Sequence, residues 1–157
     1  MTHCALTLDI DNRSHCEDVP AEEDMRRWLL SFIGKHHTES IIALSLVSAD
    51  EIQHLNDTYR KKNKPTNVLS FPANLPAGVP HALLGDIIIC PSVLAEEAVA
   101  QGKPLVAHWA HLLIHGTLHL LGYDHTEQEE ATVMENYEIE ILQSLGFANP
   151  YGDTTDE

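Results

Sequence analysis

Little in this chain points to an oxidising compartment or a membrane. Its three cysteines, Cys4, Cys16 and Cys90, are odd in number and show no C-x-x-C spacing. Neither a disulfide framework nor a cysteine-based zinc fold follows from them, and reduced thiols are the plain interpretation. No apolar run approaches the roughly 18 residues of a spanning helix, so no membrane association is expected. Met1–Asp9 lacks the basic and apolar stretches of a secretion signal, and the expected compartment is the cytoplasm. Positive charge is scarce too: nine Lys and Arg stand against 24 Asp and Glu, a formal net charge of −15. Such a surface repels polyanions at long range, so general nucleic-acid affinity is not expected, and no DNA partner is.

The few cations are unevenly placed. Four of the nine fall in Arg60-Lys61-Lys62-Asn63-Lys64. Charge runs are usually solvated loops, yet this concentration provides one place on an acidic protein that can hold a phosphate chain.

Histidine, by contrast, is abundant, with 11 residues, and three of them are ordered. His115-Gly-Thr-Leu-His119-Leu-Leu-Gly122-Tyr-Asp-His125 places imidazoles at positions 0, 4 and 10 of one run. Residues four apart share a helical face, close enough for two rings to converge on one ion with bonds of roughly 2.0–2.1 Å. Gly122 then suits a left-handed turn, returning His125 over the same ion. Three nitrogen ligands leave a coordination position open, as catalytic zinc requires. The spacing matches H-E-x-x-H-x-x-G-x-x-H metalloproteases, but Gly116 stands where their general-base glutamate would be. The expected cofactor is one zinc ion per chain on His115, His119 and His125; nickel also suits imidazole ligands.

Element signals run along the chain in the order β-α-β-α-β-β-α-α-α. Strands are expected at Ala5–Ile10, Ile41–Val47, Asn67–Phe71 and Asp86–Cys90. Helices are expected at Ala21–Ile33, from an N-cap at Ser48 with Glu51 in a capping box to about Tyr59, at Pro91–Ala100, at Pro104–Leu121 and at Thr126–Leu145. Pro72–Pro80 reads as a loop. In the last helix Val133, Met134, Tyr137, Ile141 and Leu142 are expected inward, with many glutamates outward. The fold class is α+β: a small mixed sheet of about four strands packed with helices, with the metal site on a helix–turn segment near the C-terminal half. One domain is expected over residues 1–150, with Tyr151–Glu157 a frayed acidic tail.

These residues resemble the YbeY family of bacterial rRNA maturation endoribonucleases. His115–His125 fits the form H-G-x-L-H-L-x-G-Y-D-H; Leu55-Asn-Asp-Thr-Tyr-Arg60 with Lys64-Pro-Thr-Asn-Val-Leu-Ser-Phe-Pro72 resembles a second signature, and Leu84-Gly-Asp-Ile87 a third piece. Many members carry Asp where this chain has Asn67. That departure leaves the histidines untouched but removes a carboxylate that would otherwise count as a proton acceptor. The resemblance implies a zinc-dependent, single-strand-specific endoribonuclease of the cytoplasm. It would act in 16S rRNA 3′-end maturation and 70S ribosome quality control, with ribosomal RNA, the ribosome or small subunit and associated factors as partners.

On that basis Arg60 and His115 are the catalytic candidates, Arg60 matching the family's functional arginine and stabilising phosphoryl charge; otherwise it is a surface arginine closing a helix. Arg60, Lys61, Lys62 and Lys64 are the substrate-binding candidates. His111, one turn before His115, reads either as a residue that hydrogen-bonds a ligand or the substrate, or as a polar residue at the rim. Asp124 reads either as orienting a histidine or taking a proton, or as a turn former. No residue stands out as general base, and attack by metal-activated water and by the ribose 2′-hydroxyl both stay open. Two other classes fit less well: a zinc metallopeptidase, for want of the glutamate at Gly116, and a non-catalytic ribosome-assembly factor with structural zinc, for want of a fourth ligand.

Overall fold

The computed structural model describes residues 5–34, 39–73, 82–123 and 127–151. Four strands and five helices follow in the expected order: β1 (Ala5–Asn12), α1 (Glu22–Ile33), β2 (Glu39–Leu46), α2 (Ala49–Arg60), β3 (Val68–Pro72), β4 (Leu83–Ile89), α3 (Pro91–Gln101), α4 (Leu105–Leu120) and α5 (Gln128–Ser144). The sheet order is β1-β2-β4-β3; β1 and β2 pair parallel, as do β2 and β4, while β3 runs antiparallel to β4 along an edge. This is the mixed sheet of an α+β fold.

Period-2 alternation decides which sheet face is covered. Leu6 and Leu8 of β1 and Ile42, Leu44 and Leu46 of β2 are buried, while Thr7 and Ile41 between them are exposed. Those inward residues meet Trp28, Leu29, Phe32 and Ile33 of α1 and Leu113, Ile114 and Leu118 of α4 in one core. On the far side of β3 and β4, α2 adds a smaller cluster in which Ile52 packs with Val47, Leu69 and Cys90.

Local chemistry sets the ends of α2 and α4. Ser48 accepts from the Glu51 N–H at 3.2 Å, the expected N-cap of α2. The Glu51 carboxylate, however, turns away to Arg13 at 2.8 Å instead of closing a capping box. At the other end of α2, Lys61 takes a left-handed conformation at φ 60° and its N–H bonds back to Asn56 and Asp57. α4 is buried nearly all round, because it lies between the sheet and three other helices. It touches β3 at Gly116: a Cβ there would sit 3.0 Å from Ser70 Oγ and 3.4 Å from Val68 and Ile87 methyls. Glycine keeps that approach close, and Ser70 Oγ seals it by donating to the Gly116 carbonyl at 3.1 Å.

The stripe of α5 is rotated from the expected one. Val133 is 58 % exposed, whereas Met134, Ile141 and Leu142 are buried and Glu138 is fully buried. Each residue turns the helix by about 100°, so centring the stripe on Met134 and Glu138 carries Val133 outward. Val133, expected inward, is thus corrected, and Glu138 is a glutamate of this helix that turns inward.

Candidate metal centre

His115 and His119 sit on α4 one turn apart, as the spacing requires, with ring centroids 4.7 Å from each other. Their δ nitrogens are both held from behind. His115 Nδ1 lies 2.6 Å from Glu138 Oε2, and His119 Nδ1 lies 3.1 Å from the Tyr123 carbonyl. A carboxylate and a carbonyl only accept, so each ring donates from Nδ1 and, when neutral, carries its lone pair on Nε2. The two Nε2 atoms face each other at 3.2 Å. Two nitrogens bound tetrahedrally to one ion at roughly 2.0–2.1 Å are about 3.3 Å apart. Two lone pairs directed at each other at this distance call for a cation between them, so the residues present fit a divalent metal.

The turn at Gly122 supplies one of those supports. Gly122 adopts φ +106°, a conformation side chains disfavour, and the Tyr123 N–H closes on the Leu118 carbonyl at 3.0 Å. That reversal brings the Tyr123 carbonyl beneath His119. The expected third ligand, His125, and Asp124 lie outside the described residues.

Behind His115, Glu138 is the centre of a buried network. Its Oε1 accepts from His111 Nε2 at 3.1 Å and from the Tyr151 hydroxyl, its Oε2 from His115. Burial alone would raise the carboxyl's pKa, but the hydrogen bonds from His111, His115 and Tyr151, with the charge of His115, together outweigh it and bring it down to about 2. Burial pushes His111 down against the pull of Glu138, and burial followed by the carboxylate pushes Tyr151 up. Among the described residues, His111, His115 and Glu138 also form a set whose ligand atoms all lie within 4.8 Å of one another and that can hold a metal ion. The two donor sets share His115, and its two nitrogens divide them. Nδ1 faces a carboxylate with no solvent exposure that already accepts from three groups; Nε2 faces His119, which lines the cleft with it.

That cleft has a volume of about 900 Å³ and runs from α4 to the loop after α2. His111, His115 and His119 line it together with Arg60, Lys62, Lys64 and Asn67. Arg60, the last residue of α2, is exposed. It donates from Nη2 to the Ser70 carbonyl at 2.9 Å, and its guanidinium stands 5.2 Å from the Phe71 ring centre. Ser70 touches Gly116 in turn, so one edge residue joins the arginine to the helix carrying the histidines. Lys61 is not among the lining residues; its left-handed backbone caps α2. The loop is pinned by Asn56, which is 3 % exposed and donates to the Lys64 carbonyl at 2.9 Å.

Sequence reasoning missed Glu138, Asn56 and Tyr151. Glu138 carried a signal, a carboxylate in helical phase with Met134, Ile141 and Leu142, and Asn56 another, four residues after buried Ile52. Tyr151 carried none. It was assigned to a frayed tail, yet its hydroxyl reaches Glu138 and its ring stands 5.3 Å from His111. The correction has a physical cause: Lys103 Nζ holds the Pro150 carbonyl at 2.6 Å, and Phe147 packs on Trp28. His111 bonds the carboxylate that holds His115.

Comparison with known proteins gives the fold likeness and the family. The solution structure of TM1509 from Thermotoga maritima is similar, at 26 % identity and a TM-score of 0.60, over 96 % of this chain and 99 % of that one. The family model described as endoribonuclease YbeY matches residues 9–146, which takes in the basic loop and every histidine of the cleft. The chain belongs to the YbeY family of endoribonucleases.

Proposed function

We propose that this endoribonuclease is zinc-dependent and single-strand-specific, and that it acts in the cytoplasm on the 3′ end of 16S rRNA and in the quality control of 70S ribosomes. His115 and His119 would hold the ion through Nε2, with His125 as third ligand, and nickel suits the same donors. The observation that carries this reading is the pair of Nε2 atoms 3.2 Å apart, each backed by an acceptor on Nδ1, in one cleft with Arg60, Lys62 and Lys64.

When bound, the ion polarises a phosphoryl oxygen and lowers the pKa of coordinated water to about 7. The chain's own residues do the rest. Glu138 and the Tyr123 carbonyl fix the tautomer and direction of the two rings. Arg60 spends one N–H on Ser70, and its other donors are available to a phosphate, where negative charge grows in the reaction. Lys62 and Lys64 would hold neighbouring phosphates, a local attraction that offsets the repulsion of an acidic surface. A single strand suits a cleft lined by both these cations and the histidines. A peptidase reading is disfavoured by Gly116, since a side chain there would meet Ser70, Val68 and Ile87.

Purified protein incubated with single-stranded rRNA and, separately, with an unfolded protein, each with and without chelator, tests the proposal. RNA cleavage abolished by chelator and restored by zinc is expected. Chelator-insensitive RNA cleavage, or cleavage of the protein substrate alone, would overturn it.

A further inference from the structure

The cleft's lining holds an amide oriented to accept a hydrogen bond beside Arg60, Lys62 and Lys64, which donate. Asn67 Nδ2 lies 3.2 and 3.3 Å from the two carboxylate oxygens of Glu97 on α3. Glu97 Oε1 is itself 2.9 Å from Nε2 of His108, a buried residue of α4. A carboxylate accepts only, so the amide has one orientation: NH₂ toward Glu97 and Oδ1 away from it. No described residue bonds Oδ1. Asn56, the other amide of the wall, is 3 % exposed and committed to the loop, whereas Asn67 is only half-buried.

A phosphate cannot use a carbonyl oxygen; a hydroxyl or an amino group can. Arg60, Lys62 and Lys64 share the wall with Asn67 and suit phosphates, and the donor nearest a phosphate on an RNA strand is the ribose 2′-hydroxyl, the group that distinguishes RNA from DNA. We propose that Asn67, oriented by Glu97 and His108, is a specificity-determining residue that accepts a hydrogen bond from a ribose 2′-hydroxyl in the cleft. This rests on the RNA reading of the cleft given above.

The test measures equilibrium binding of labelled single-stranded RNA and of DNA of the same sequence, at several salt concentrations. The intact protein should prefer RNA. Asn67→Ala should shrink that preference by about fivefold, the worth of one ordinary hydrogen bond, without altering the salt slope. Asn67→Asp combined with Glu97→Gln exchanges donor and acceptor at unchanged net charge and should keep the preference. In the intact protein, one 2′-deoxy position should reproduce the loss, and that same change should add nothing in Asn67→Ala. An undiminished preference in Asn67→Ala overturns the inference alone. So does a loss that tracks removal of a base amino group, inosine for guanosine, instead of a 2′-hydroxyl. If neither strand binds, the RNA reading fails and this inference falls with it.

Discussion

Nδ1 of His115 lies 2.6 Å from the carboxylate of Glu138, twenty-three residues further along the chain. The contact joins the metal-facing helix to the last helix, and it decides which nitrogen of His115 faces the cleft. A histidine oriented only by its own helix could turn its ring; one held by a buried acceptor cannot without leaving that acceptor unpaired.

Glu138→Gln should therefore keep the fold while weakening metal binding by about 10–100-fold, read by competition with a chromophoric chelator. Glu138→Ala should do more, because it leaves buried His111 and half-buried His115 without their acceptor; a loss of about 1–3 kcal/mol of stability is expected from chemical denaturation. His119→Ala, which removes a candidate ligand outright, should lose about one equivalent of metal. Metal content unchanged in both His119→Ala and Glu138→Gln would detach the ion from this site.

The C-terminal segment should matter more than its position suggests. Tyr151→Phe removes only the hydroxyl that donates to Glu138. It should lower stability by about 1 kcal/mol and metal affinity several-fold, with RNA affinity nearly unchanged. Ending the chain before Pro150 also removes the carbonyl that Lys103 holds and should cost more on both measures. A shortened chain with full metal affinity would make the segment a bystander.

Most of the architecture could be read in advance because it rests on local rules. Pro91 and Gly102 bracket α3, Ser48 caps α2, and alternation at Leu6, Leu8, Ile42 and Leu44 announces the covered sheet face. The pair His115 and His119 was legible for the same reason: helical phase is local. What escaped depends on contacts between distant segments. Nothing near Glu138 says that His111, His115 and Tyr151 will surround it, and a glutamate among glutamates reads as solvent-facing. Lys61 shows the same limit from the other side. Its charge placed it with the basic run, but the left-handed cap of α2 is a backbone requirement that takes it out of the lining wall.

That difference between neighbouring lysines gives a sharp expectation. Replacing Lys62 and Lys64 together by Ala should flatten the dependence of log K on log salt by about 1.4, two phosphates at roughly 0.7 each for a single strand. Lys61→Ala should alter the slope far less. Binding titrations at four or five salt concentrations would measure both. A slope change as large for Lys61 as for the pair would mean that the strand passes outside the cleft.

Arg60 is the residue on which cleavage, as opposed to binding, should depend most. It is exposed, donates once to Ser70 and stacks over Phe71, so Arg60→Ala should cost only about 1 kcal/mol of stability. Its contacts are to Ser70 and Phe71, so the variant's metal content should be normal. Its single-turnover cleavage of RNA should nevertheless fall by a factor on the order of 10²–10³, as when one preorganised donor is removed from a developing oxyanion. Arg60→Lys should recover little. The lysine ammonium cannot bond Ser70 and grip a phosphate with a planar fork at the same time. The Ser70 anchor is what makes this a demand on geometry as well as on charge, because it fixes the guanidinium plane before substrate arrives. Near-normal cleavage by Arg60→Ala at saturating enzyme would show that the charge on phosphorus is met by another group of the cleft.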